Sequence, residues 1–180
     1  MQSSKKPYLN TKIFSSLQEN KIASALGWAT VVASGARPCA PGDIISDKWL
    51  GECKTHADRV KSIFFSYDVW KKLKQEAIFS HRRPVLFTDD GSQSLANTWC
   101  VCLRSSLEDT NAYVFVPYKT YIKKNISFDN LVQSSELRSA KRTAPDMFKD
   151  APVVFTANWG TDSVCLMPFD AFQKITGEQD

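Results

Sequence analysis

Gly42-Asp43-Ile44-Ile45-Ser46-Asp47-Lys48-Trp49-Leu50-Gly51-Glu52-Cys53-Lys54-Thr55 is the stretch on which the reading of this chain turns. Asp43-Ile44-Ile45 begins one strand, Asp47-Lys48 suits a turn, and Trp49 to Thr55 returns as another. The segment before it, Ser34 to Gly42 (SGARPCAPG), is broken by Gly35, Pro38, Pro41 and Gly42 and reads as a loop. Alternate side chains of a strand share a face, so Glu52 and Lys54 point together, about 7 Å apart along the strand, while Cys53 points the other way. If the two strands pair, Asp43 approaches Glu52. Two carboxylates and an ammonium then converge at one sheet edge.

Working outward, residues 1–9 read as a polar tail, and a helix is expected over Lys12 to Leu26. Ile13, Leu17, Ile22, Ala25 and Leu26 give its apolar stripe, and Gly27 gives its stop. Trp28 to Ala33 (WATVVA) reads as a buried strand, Tyr67 to Phe79 as a helix with Trp70, Leu73, Ala77 and Ile78 inward, and Pro84 to Thr88 as a buried strand. The second half has a faint internal echo. Pro84–Thr88 followed by Tyr113–Lys123 (YVFVPYKTYIK) resembles Pro152–Thr156 followed by Val164–Lys174 (VCLMPFDAFQK). Each copy reads as strand, connection, strand, proline and short helix, by duplication or by convergent patterning.

A chain of 180 residues with 43% hydrophobic and 23% charged residues fits one globular domain. Its net charge of +4 permits a nucleic-acid partner without requiring one. Residues 119–149 hold seven basic residues against three acids, which equals the excess of the whole chain, and within them Phe128 to Lys149 reads as polar, basic and helical or loop-like. A solvated face is the plain alternative for that segment. Cys39, Cys53, Cys100, Cys102 and Cys165 have no paired C-x-x-C spacing, which favours reduced, buried thiols over a disulfide framework or structural zinc. The uncharged run Ile22–Ala36 begins late and follows Glu19, so neither an export signal nor a membrane span is expected, and a cytoplasmic location is.

Asp43, Glu52 and Lys54 suit hydrolysis of a phosphodiester. Mg²⁺ is held by one or two carboxylates with phosphate oxygens and water, and a lysine can orient the attacking water or offset charge on the phosphate. Glu-x-Lys alone carries little weight, because Glu19-Asn20-Lys21 is a second instance and residues two apart on a helix do not share a face. With its context, the pattern resembles the PD-(D/E)xK nuclease superfamily, Pro41-Gly42-Asp43 being a slightly stretched first motif. The lead-in Glu19-x-x-x-Ala23-x-x-Leu26-Gly27, then Val31-Val32-Ala33-Ser34-Gly35-Ala36, resembles Holliday-junction-resolvase-like members, including phage-encoded ones. The resemblance covers roughly residues 13 to 88.

That resemblance implies an α/β, restriction-endonuclease-like core with αβββαβ order and a mixed central sheet flanked by helices. The core would occupy residues 1–125, and a C-terminal α+β extension, residues 126–180, would pack on it within a single domain. It implies Mg²⁺-dependent cleavage of DNA, with Mn²⁺ able to substitute, by a homodimer acting on branched DNA. Asp43 and Glu52 would ligate metal, joined by the carbonyl of Cys53 and by Glu19, with Lys54 the catalytic lysine. Ser34, Gly35 and Arg37 would face the scissile phosphate. Arg82, Arg83, Lys141 and Arg142 are further candidate DNA contacts, whereas Lys71, Lys72 and Lys74 read better as solubilising charges. A restriction-like, nicking or homing enzyme is the alternative within the class, and an inactive nucleic-acid-binding module the alternative outside it. His56 and His81 offer no partner arrangement for a histidine-based hydrolase or a zinc site. Of the five tryptophans, four lie in apolar segments and read as core, and Trp159, in Asn158-Trp159-Gly160, reads as an exposed turn residue.

Overall fold

The structure, a computed structural model, describes residues 11–31, 41–61, 63–107, 113–122, 125–127, 138–139, 142 and 151–177. Helix α1 (Thr11–Leu26) leads into three short antiparallel strands, β1 (Ala29–Thr30), β2 (Ile44–Ile45) and β3 (Trp49–Lys54). After the two-residue β4 (Phe64–Phe65), helix α2 (Tyr67–Phe79) carries the chain across to β5 (Arg83–Thr88), which pairs parallel with β3. There follow β6 (Trp99–Leu103), β7 (Val114–Ile122), β8 (Ile126–Ser127), β9 (Val153–Trp159), β10 (Asp162–Pro168) and helix α3 (Phe169–Gly177). Among the described residues one mixed sheet runs β1-β2-β3-β5-β6-β10-β9-β7, and β4 pairs with β8 separately.

Side-chain alternation divides the core between the two faces of this sheet. Leu50, Leu86 and Val101 pack with Trp70, Leu73 and Ala77 of α2. Trp49, Cys53, Val85 and Phe87 pack on the other face with Ile22 and Ala23 of α1 and with Phe169, Phe172 and Ile175 of α3. Strands β3, β5 and β6, covered on both sides, are accordingly apolar almost throughout. Cys53, Cys100, Cys102 and Cys165 are buried and unbridged, and Cys39 lies outside the described residues.

Helix α2 has the expected bounds and buries Trp70, Leu73 and Ala77, but Ile78 faces solvent. Other expectations need correction. In α1 Ile22 is buried and Ala25 and Leu26 pack against the core as expected, but Gln18 and Ala23 also face inward, while Ile13 and Leu17 are 56% and 45% exposed. The inward stripe is turned because the Gln18 amide donates to the Lys54 carbonyl at 3.1 Å. Of the buried strand expected over Trp28 to Ala33, the described residues form the two-residue β1, both residues exposed, with Trp28 stacked on Trp49 at 6.4 Å, and Val32 and Ala33 lie outside the described residues. Tyr113–Lys123 contains no proline-then-helix step among the described residues. It forms β7, whose pairing with β9 shifts register on either side of Lys119. Pro117 is tolerated because β7 is the sheet edge, where one missing N–H costs no ladder bond. The later copy does turn from β10 into α3 at Pro168, so the echo is one of composition rather than of structure.

Within residues 126–180, β10 pairs with β6, and β9 lies between β10 and β7. The residues expected as a C-terminal extension supply interior strands. Trp159 is also buried rather than exposed. It stacks on Trp70 at 5.8 Å and an interplanar angle of 19°. Beside it, Asp162 accepts from Trp70 Nε1 at 3.0 Å and from Lys74 Nζ at 2.6 Å, fastening α2 to the β9–β10 hairpin. Trp159→Ala should therefore cost about 3–5 kcal/mol in urea unfolding monitored by far-UV circular dichroism. A cost within about 0.5 kcal/mol, the usual size of a surface change, would place Trp159 outside the core.

Candidate active site

The antiparallel register Ile44↔Gly51 and Ile45↔Leu50 brings Asp43, the residue before β2, against the Gly51–Cys53 stretch of β3. Close approach is possible only because Gly42 and Gly51 have no side chains. Gly42 has φ +67°, and a Cβ there would meet Leu50 Cδ1 at 2.8 Å and the Gly51 carbonyl at 2.9 Å. A Cβ on Gly51 would lie 2.5 Å from Ile44 Cγ1. The glycine between Pro41 and Asp43 thus has a steric reason.

Two backbone bonds hold the end of β2 in place: Asp43 N–H donates to the Gly51 carbonyl and Val31 N–H to the Asp43 carbonyl, both at 2.8 Å. The Asp43 side chain turns onto β3, and Oδ2 accepts the Cys53 N–H at 2.8 Å. Lys54 Nζ donates to Glu52 Oε1 at 2.5 Å, as same-face neighbours can. The Glu52 side chain is only 13% exposed, against 47% for Lys54, so the pair opens to solvent on the lysine side.

Glu19 arrives from α1, which packs on the face opposite to the one Glu52 and Lys54 share. Its proton affinity is nonetheless raised, first by burial, then by the charges of Asp43 and Glu52, with Lys54 opposing. Glu19 thus feels the charges of Asp43, Glu52 and Lys54 at the end of β3 from the other face of the sheet. Burial works against the charge on Lys54, but the Glu52 carboxylate, its hydrogen bond and then Asp43 hold the ammonium above its ordinary pKa. The Cys53 thiol is pushed far up by burial and by the nearby carboxylates, which leaves it an inert core group.

The donor set is hard oxygen with an excess of negative charge, three carboxylates against one ammonium, and so suits Mg²⁺ or Mn²⁺. Among the described residues no three His, Cys, Asp or Glu side chains converge closely enough to enclose an ion by themselves. An ion here would take one or two carboxylates, Asp43 and Glu52 first, with water and phosphate oxygens completing its shell.

Arg82 and Arg83 lie elsewhere. Arg83 pairs in register with Trp49, at the opposite end of β3 from Lys54, about 16 Å away at the rise of a strand. It donates to the Ser106 carbonyl and lies over the Trp49 ring, while Arg82 donates to the carbonyls of Ser46 and Ser80. Both are engaged within the fold. Lys71, Lys72 and Lys74 pair with Asp68, Glu76 and Asp162. Arg142 is exposed, and Ser34, Gly35, Arg37 and Lys141 lie outside the described residues. Sequence reasoning missed Gln18, Thr55 and Asp89, which surround the end of β3. The only local signal was the Asp-Asp-Gly turn after β5.

Comparison of the chain with protein-family models, with curated proteins and with solved structures finds no match. The site's own geometry carries whatever is said of its chemistry. A carboxyl whose proton affinity rises on folding leaves stability intact below the ordinary glutamate pKa, and some is lost as pH rises through the raised value. Glu19→Gln in the presence of chelator should thus raise the Tm at neutral and higher pH, with the gain shrinking as pH falls toward 4.5, the ordinary value. Thermal unfolding across pH checks this; a Tm that drops at neutral pH refutes the electrostatic account.

Proposed function

We propose that this chain is a divalent-metal-dependent endodeoxyribonuclease of the PD-(D/E)xK kind, resolvase-like, acting on branched or otherwise structured DNA. The observation that carries the proposal is the Glu52–Lys54 pair with Asp43 fastened beside it on the Cys53 N–H. Residues 11–88 support it further. Apart from the short β4, their order is helix, three antiparallel strands, helix and a strand parallel to the third, the αβββαβ order of a restriction-endonuclease-like core.

A bound Mg²⁺ would supply a water of lowered pKa and neutralise charge on the scissile phosphate. Asp43 and Glu52 hold hard oxygen donors at the rim of the sheet. Lys54, held beside Glu52, would orient or activate the attacking water, or offset negative charge building on the phosphate oxygens. Glu19, whose proton affinity responds to Asp43 and Glu52, would be the fourth group, able to hold the ion directly or through water. Homodimerisation belongs to the same proposal, since symmetric cutting of a junction needs two centres.

Purified protein with Mg²⁺ or Mn²⁺ should cut DNA, and a four-way junction should be cut faster than linear duplex. Preference for linear duplex would favour a restriction-like, nicking or homing enzyme. Asp43→Asn and Lys54→Ala should each lower the rate about 100-fold or more while folding and DNA binding persist. An unchanged rate in either variant removes that residue from the mechanism, and no cleavage of any DNA form leaves a binding module.

A further inference from the structure

Among the described residues two buried side-chain atoms have no hydrogen-bond partner, Gln18 Oε1 and Asp89 Oδ2. Both belong to side chains of residues that grip the same group. Gln18 Nε2 donates to the Lys54 carbonyl at 3.1 Å, and the Asp89 N–H donates to it at 3.2 Å. Asp89, fully buried, also accepts on Oδ1 from the Thr55 hydroxyl at 2.6 Å and from the Gly91 N–H at 2.9 Å. The Asp89 carboxylate thus links the residue after β3 to the loop that follows β5, while its backbone N–H holds the last residue of β3.

That loop in turn is fastened to α1. Gln93, at φ +56°, donates through its amide to the Phe14 carbonyl at 3.3 Å, and its own carbonyl accepts from Lys21 Nζ at 3.0 Å. Phe14, Gln18 and Lys21 follow one another along a helical stripe, next to Glu19. A non-glycine residue held at positive φ is maintained only where its surroundings demand it. A buried acceptor without a donor is likewise costly and is kept only where other bonds over-determine it. Both features mark this junction as one the fold maintains against local preference.

We propose that Asp89 is a positioning residue of the candidate active site. Through Thr55, Gly91 and the Lys54 backbone it fixes the end of β3 from which Glu52 and Lys54 project, and with Gln18 it sets α1, hence Glu19, against that end. It is not a metal ligand. Its work is done through backbone and hydroxyl hydrogen bonds to other residues. The assignment rests on the nuclease reading given above, and its test separates the two.

The test measures DNA cleavage by the full chain with Mg²⁺, together with amide hydrogen exchange of the segments around residues 14–21, 53–56 and 153–168. Asp89→Ala is expected to lower kcat about 100-fold, as a misplaced catalytic group does, with KM for DNA little changed. Exchange should quicken in the first two segments and stay as in wild type in the third. Asp89→Asn keeps an oxygen for Thr55 and Gly91 and puts a donor where the second oxygen has none, so it should restore nearly the whole of kcat. Two cleavage results overturn the proposal: wild-type kcat in Asp89→Ala, or an Asp89→Asn variant as slow as the alanine, which would make the charge itself a participant. If Asp89→Ala does not fold, Thr55→Val, which removes one donor, should show the same pattern more weakly; an unchanged kcat there has the same consequence. Should wild-type protein cut no DNA, the nuclease reading fails and hydrogen exchange decides alone. Quickened exchange at 53–56 then supports the anchoring role of Asp89, and wild-type exchange there refutes it.

Discussion

The pairing of β2 with β3 is the constraint on which the site depends. It is a very short pairing, with two residues in register and glycines at the points of closest approach. So little ladder could not by itself hold two carboxylates side by side against their repulsion. The Asp43 carboxylate accepting the Cys53 N–H extends the contact beyond the last ladder pair, and the Lys54 ammonium offsets the charge that accumulates there. A bond from a carboxylate to a backbone N–H is among the stronger hydrogen bonds of a protein.

The rest of the sheet gives that short hairpin a rigid base. β3 is parallel to β5 along six paired residues, and β5, β6, β10 and β9 continue as interior strands. Both faces are covered, by α2 on one side and by α1 with α3 on the other. The aromatic contacts are divided in the same way, with Trp70 and Trp159 stacked beneath α2, and Trp28, Trp49, Phe87 and Phe172 clustered under α1 and α3. Fully covered strands exchange little with other arrangements, because a slip of one residue would move every side chain to the wrong face. The groups with chemical potential stand at the ends and edges of this slab, where strands stop and side chains can leave the core.

The polar junction around the Lys54 carbonyl completes the arrangement at a cost in local stability. A Glu19 carboxyl whose proton affinity is raised by burial and by the charges of Asp43 and Glu52, two buried oxygens without a hydrogen-bond partner among the described residues, and Gln93, one of two described non-glycine residues at positive φ, lie within one corner of the molecule. Concentration of such features at a single place is what a functional site looks like physically, since strain and unpaired polarity persist only where the surrounding structure over-determines them.

By itself the sequence determined the elements whose pattern is local: helix α2 from its inward Trp70, Leu73 and Ala77, and strands β3 and β5 from apolar runs bounded by turn residues. It also put Glu52 and Lys54 on one face, because the two-residue period of a strand allows nothing else. Tertiary structure alone decided which strands are neighbours. The chain of 180 residues contains no local sign that β9 and β10 enter the sheet between β6 and β7, that Trp159 lies under α2, or that β7 runs through Pro117 as an edge. It alone also turned α1 so that Gln18 faces inward and Ile13 does not, and brought Asp89 to Lys54 across 35 residues. Periodicity reports which side of an element is apolar; what an element packs against is settled by contacts distant in sequence, and those exist only once the chain has folded.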